Sequence, residues 1–128
     1  MAFESWLIKI GQVKRNGIRL AWEPRGEAWT ADLVRGLCAD YRLVHCVDPL
    51  EADSVYGDIT YWRLHGRGSY AYRYTDDDLV LLREMLARRQ QPGFLMFNNF
   101  SSRTDALRFR ALPSKLNLQA GKPPRKLA

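Results

Sequence analysis

Ile59-Thr60-Tyr61-Trp62-Arg63-Leu64-His65-Gly66 is the stretch on which the fold turns. Its β-branched and aromatic residues read as a strand, and a run apolar over most of its length suits a strand covered on both faces, as in a parallel sheet. Arg63 is a charge inside that run, expensive there unless paired. Downstream, Thr75 can cap a helix whose first turn holds Asp76, Asp77 and Asp78, where the helix dipole favours anions. Leu79, Leu82, Met85 and Leu86 repeat at helical spacing until Pro92-Gly93 breaks the pattern. Phe94-Leu95-Met96-Phe97 is then another buried strand, running into Asn98-Asn99. A last helix covers about Ser102 to Leu112 and stops at Pro113.

The same alternation holds upstream. Leu43 to Val47 is a strand stopped by Asp48-Pro49, and Thr30 caps a helix carrying Leu33, Val34 and Leu37 on one face, to about Asp40. Ile18 to Trp22 is a strand ending in Glu23-Pro24-Arg25-Gly26. Phe3, Trp6, Leu7, Ile10 and Val13 form the apolar face of an opening helix closed by Asn16-Gly17. Residues 49–57 carry no helical signal, so the second and third strands are joined without a helix. Four strands alternating with helices predict an α/β fold with a parallel sheet.

A chain of 128 residues has room for one domain with a core and not for two. We place that domain at 1–116, followed by a basic, proline-containing tail, 117–128, expected to be disordered. No apolar run approaches the roughly 18 residues needed to cross a bilayer. The start lacks the basic and apolar regions of a secretory signal, so a cytoplasmic location is expected. Cys38 and Cys46 fit no CxxC spacing and read as packing thiols. The net charge of +6 is compatible with an anionic partner, nucleic acid included, although part of it lies in the tail.

Each strand ends in residues able to bind or catalyse: Glu23 and Arg25, then Asp48, then Arg63 and His65, then Asn98 and Asn99. In a parallel sheet those ends share one edge, where open α/β sheets and closed (β/α)8 barrels hold their ligands. Bland readings stand beside the functional ones. Glu23 with Arg25 or Arg63 makes a structural ion pair, His65 a hydrogen-bonded structural histidine, Asp48 a turn cap, and Asn98-Asn99 a turn. Tyr61, Trp62, Tyr70, Tyr72 and Tyr74 could stack on bases or sugars, or pack a loop against the sheet. There is no phosphate loop, zinc spacing or nucleophile elbow, so neither a metal nor a cofactor is expected.

At these strand ends the chain resembles the YecE-like family, domain of unknown function 72. Glu23-Pro24-Arg25-Gly26 with Trp29 is similar to the "EPRG.W" signature of its archaeal members, and His45-Cys46-Val47-Asp48-Pro49 to "HVVDP". Tyr61-Trp62-Arg63-Leu64-His65-Gly66 matches "YxRxHG", Tyr72-Arg73-Tyr74-Thr75 the "Y.Y(S/T)" before the next helix, and Phe97-Asn98-Asn99 "FNN"; Asp105-Ala106 also fits. The resemblance implies a TIM-like barrel of uncharacterised activity. It covers the C-terminal half only, because the family's "GTSGW" opening and "NSTFY" strand have no counterpart here.

A barrel of this kind needs eight strands and about 250 residues. Four strands imply a second copy, a separate chain carrying the N-terminal half, or an incomplete gene product. Leu20, Trp22, Leu64 and Phe97 are then expected to face an unfilled interior. The leading functional expectation is a pocket for a small anionic or polar ligand, whether or not a reaction follows. Glu23, Asp48 and His65 are its acid/base candidates, and Arg25, Arg63, Asn98 and Asn99 its binding groups. Nucleic-acid binding through the basic surface, and a purely structural half-barrel, are the alternatives.

Overall fold

The computed structural model describes residues 2–12 and 17–113; Val13 of the expected opening helix, Asn16 of its expected Asn16-Gly17 stop, the end of the expected domain at 114–116 and the tail at 117–128 lie outside these. The elements are α1 (Ala2–Gln12), β1 (Leu20–Trp22), α2 (Ala31–Tyr41), β2 (Leu43–His45), β3 (Thr60–Leu64), α3 (Asp76–Arg89), β4 (Gly93–Phe97) and α4 (Ser102–Ala111). Among the described residues no helix is long and apolar enough to cross a membrane.

The helix starts follow the local chemistry. Thr30 Oγ1 accepts from Leu33 N at 3.3 Å, opening α2. At α3 the cap is reciprocal: Asp78 N donates to Thr75 Oγ1 at 3.1 Å, and Thr75 N donates to Asp78 Oδ2 at 3.0 Å. Arg88 and Arg89 sit in the last turn of α3, opposite in sign to the aspartates of the first.

β1 pairs in parallel with β2, in the register Leu20↔Leu43, Ala21↔Val44 and Trp22↔His45. β3 pairs in parallel with β4, from Thr60↔Gly93 to Leu64↔Phe97. A single bridge, Val47↔Trp62, joins the two pairs. A continuous four-stranded sheet was expected, and the reason for the gap is specific. The helix-free segment after β2 folds back so that His45 N donates to Tyr56 O at 2.9 Å, a donor that would otherwise reach β3. Contact with β3 resumes only where Arg63 N donates to Val47 O at 3.0 Å.

Helices cover one side of these strands. Leu7, Val34, Cys38 and Leu43 form one buried cluster with Leu20, Trp22 and Trp29 against it; Leu64, Tyr74, Leu79 and Leu82 form a second with Leu95, Phe97 and Phe109. This corrects the expected facing of Leu20, Trp22, Leu64 and Phe97, all of which pack on the helix side. The two-residue alternation of a strand decides the matter. In β3, Thr60, Trp62 and Leu64 are buried while Tyr61 and Arg63 are half-buried. In β4, Phe94 and Met96 are 53% and 46% exposed. The face without helices is therefore lined by Ala21, Tyr61, Arg63, Phe94 and Met96, with the Tyr61 and Phe94 rings 6.0 Å apart.

Cys38 and Cys46 are free and buried, and burial pushes their thiols up to about 11 and about 12. Neither is a reactive thiolate at neutral pH.

Candidate functional site

Because the strands run in one direction, the residues that follow them meet at one edge. Glu23, just past β1, is the hub. Its Oε2 accepts from Arg63 Nη1 at 2.7 Å, and its Oε1 lies 2.6 Å from His65 Nε2. Arg25 Nη2 stands 3.5 Å from the same Oε1 and 3.4 Å from His65 Nε2. Asn98 Nδ2 is 3.3 Å from His65 Nδ1. With the Asn98 amide donating to Nδ1, the ring proton sits on Nε2 and is donated to Glu23. Five residues from three strand ends thus share one hydrogen-bonded cluster.

Burial pushes the Glu23 carboxyl up, but the His65 hydrogen bond and the electrostatic pull of His65, Arg25 and Arg63 outweigh it and hold the pKa below its ordinary value of 4.5. A depressed carboxylate stabilises the fold above its unfolded pKa, and that stability is lost as pH falls through the folded value. Urea unfolding measured between about pH 3 and 6 should therefore show stability falling on the acid side. Glu23→Gln should flatten that slope; an unchanged slope would mean that Glu23 is not the titrating hub.

Arg63 is less buried than its strand position predicts. Its side chain is 37% exposed, against 16% for Glu23. Its alternate side faces the surface without helices, where water shares the charge. Arg63→Ala then costs about 1–2 kcal/mol, between the limits for exposed and buried pairs, and not the larger penalty of a fully buried pair.

The loop after β3 is folded tightly around Gly66. Its φ is +90°, and a Cβ there would come 2.1 Å from Ser69 O, so only glycine fits. Gly66 N donates to the buried Tyr74 hydroxyl at 2.7 Å. Tyr72 OH donates to Asp78 Oδ2 at 2.6 Å, and Arg67 pairs with the other oxygen at 3.0 Å. Trp62 and Tyr74 are buried, so neither offers a face to a base. Tyr70 is the aromatic left at the site, 45% exposed with its ring edge-on to His65 at 5.9 Å. Glu23 first, then Tyr70, favour the charged form of Arg25.

Asp48 and Asn99 stand outside the cluster. Asp48 is buried, with Oδ1 accepting from Leu50 N at 3.1 Å and Oδ2 from His65 N at 3.0 Å. Both oxygens hold backbone, capping the turn and pinning the end of β3. Asn99 is buried beside α4, its Nδ2 donating to Tyr72 O at 2.7 Å and Asp105 Oδ2 at 2.8 Å. Sequence reasoning passed over Asp78, read as a helix-start charge, and Tyr70, read within a packing loop. The aspartate at the third helical position after Thr75 was the signal for a reciprocal cap.

A groove of about 490 Å3 opens beside the cluster, lined by Glu23, Arg25 and His65 and also by Trp29, His45, Asp48, Glu51, Asp53 and Val55. A larger groove, about 860 Å3, lies at the opposite strand ends, where Arg19 and Asp58 pair with each other at 2.7 Å. Parallel α/β folds keep their chemistry at the C-terminal ends, and the smaller groove lies there beside the Glu23 cluster. Among the described residues no three His, Cys, Asp or Glu side chains are placed to hold a metal ion.

The profile of the family described as "Protein of unknown function DUF72" matches residues 3–127. The chain belongs to the DUF72 family. A crystal structure of a DUF72 family protein from Thermotoga maritima MSB8 is similar, with a TM-score of 0.58 and 23% identity over 73% of this chain. The alignment covers 45% of that protein, so the DUF72 chain described here spans less than half the length of its solved relative. At that identity the likeness concerns the fold. No curated protein matches the sequence.

Proposed function

We propose that this DUF72 protein binds a small anionic or polar ligand at the C-terminal ends of its strands. One observation carries the reading: Glu23 is a single carboxylate against Arg25, Arg63 and a proton-bearing His65, which leaves a surplus of positive charge and donors. Arg25 is the group with most to offer, since its side chain is 61% exposed and its bond to Glu23 is long at 3.5 Å. A bound anion takes donors from Arg25, Asn98 and Tyr70, while Glu23 holds Arg63 and His65 in place. Where the ligand needs a proton moved, the Glu23–His65 pair is the acid/base couple.

Inorganic phosphate titrated into the full chain by calorimetry tests this. Charge-assisted hydrogen bonds are worth about 1.5–3 kcal/mol, so Arg25→Ala should weaken phosphate binding by about tenfold or more. No phosphate binding at millimolar concentrations, or binding indifferent to Arg25→Ala, overturns the reading. Steeply salt-dependent binding to generic RNA or DNA would instead favour a nucleic-acid surface.

Within the family, we read the chain as a YecE-like member of archaeal type that supplies the C-terminal half of a TIM-like barrel. Four parallel strands with their polar residues at one edge, and a span of 45% of the solved relative, support this. The face lined by Tyr61, Phe94 and Met96 is then covered by another polypeptide carrying the remaining half. A second copy fits less well. β1 offers three residues for pairing where β4 offers five, so self-closure leaves part of an edge unpaired.

A further inference from the structure

We infer that the groove beside the Glu23 cluster has a second contact point at the His45 ring N–H, so that its ligand is an organic anion with an uncharged, oxygen-bearing arm rather than a simple ion. The inference rests on the anion-binding reading above and specifies its ligand.

His45 is held at three points by the segment after β2. Its backbone N donates to Tyr56 O at 2.9 Å, its carbonyl accepts from Ser54 Oγ at 3.0 Å, and its Nδ1 accepts from Val55 N at 3.1 Å. An Nδ1 that accepts a hydrogen bond places the ring proton on Nε2. The residue is 8% exposed, and burial pushes its pKa down, which keeps the ring neutral. Nε2 has no hydrogen-bond partner among the described residues. An oriented N–H that no described residue accepts, in a residue that lines a groove, is available to an acceptor arriving from outside.

The surroundings fix the character of that acceptor. Trp29, Val34 and Val55 also line the groove and share one apolar cluster, with Val55 N holding the His45 ring, so they offer apolar contact near it. Glu51 and Asp53 also line it and repel a second anionic group. The arm is therefore neutral and partly apolar, and carries a carbonyl or hydroxyl oxygen for His45. The anionic head, a phosphate or carboxylate group, lies toward Arg25 and His65.

Three probes separate these elements by calorimetry on the full chain: inorganic phosphate, phenyl phosphate and 4-acetylphenyl phosphate. We expect phenyl phosphate to bind about tenfold tighter than phosphate, the order of gain for a small apolar contact. The acetyl oxygen should add a further several-fold, lost in His45→Phe. Because that variant could misfold, the wild-type chain labelled with 15N at histidine gives a second reading. The His45 Nε2–H resonance should shift with 4-acetylphenyl phosphate and not with inorganic phosphate. Phosphate binding without any gain from either arm overturns this inference and leaves the anion site standing. Failure of all three probes to bind overturns both.

Discussion

Asp105→Ala should produce one of the largest losses of stability available in this chain. Asp105 is fully buried, and its carboxylate accepts from Asn99 Nδ2 at 2.8 Å, Tyr74 N at 3.3 Å and Arg108 Nη1 at 2.9 Å. It thereby ties α4 to the loops that follow β3 and β4. Alanine leaves the Asn99 amide and the Tyr74 N–H short of a buried acceptor, at about 1–3 kcal/mol each. Arg108 loses less, since its side chain is 27% exposed and keeps Asp76 at 2.6 Å. The total is roughly 3–5 kcal/mol, against about 5–15 kcal/mol for a whole domain. At about 4–8 °C per kcal/mol in a small domain, the melting temperature should fall by roughly 15 °C or more. Asp105→Asn keeps the shape and one acceptor and should lose less. A melt of Asp105→Ala within two or so degrees of wild type would refute the account.

The second large effect concerns assembly. Phe94 and Met96 stand 53% and 46% exposed beside Tyr61, and no described helix covers them. Each large apolar side chain left in water forgoes about 1.5–3 kcal/mol, so this face alone matters on the scale of the domain's stability. Among the described residues no strand pairs with the outer edge of β1 or β4. The chain purified alone should bind a hydrophobic dye, melt with low cooperativity and associate irregularly, with Phe94→Glu reducing both dye binding and association. Light scattering reads the outcome. A 14.8 kDa monomer with a sharp melt and no dye binding would mean that the face is no interface. A discrete two-fold dimer of roughly twice that mass would make the occupant a second copy and overturn the separate half.

The local signals in the sequence translated directly into elements. Thr30 and Thr75 cap helices, Pro92 ends one, and the helix-free reading of 49–57 holds throughout. Apolar runs marked four strands because burial demands them whichever neighbour supplies it. The edge position of Glu23, Arg25, Arg63, His65 and Asn98 was equally legible, since parallel strands bring their C-terminal ends together. Which face each residue takes was not. Leu20, Trp22, Leu64 and Phe97 read as interior and pack under helices, because in a run apolar at every position the alternation carries no label.

The order of elements and the shared edge follow from local chemistry, because caps, breakers and strand direction act over a few residues. The roles within that edge follow from long-range contacts. Asp48 and Asn99 look like site residues in sequence, yet they hold the backbone of the segments that follow β2 and β3. Glu23 became the hub because His65 and Arg63, forty-odd positions away, reach it at 2.6 and 2.7 Å. Those contacts join the ends of β1 and β3 across the chain, and no local pattern encodes them.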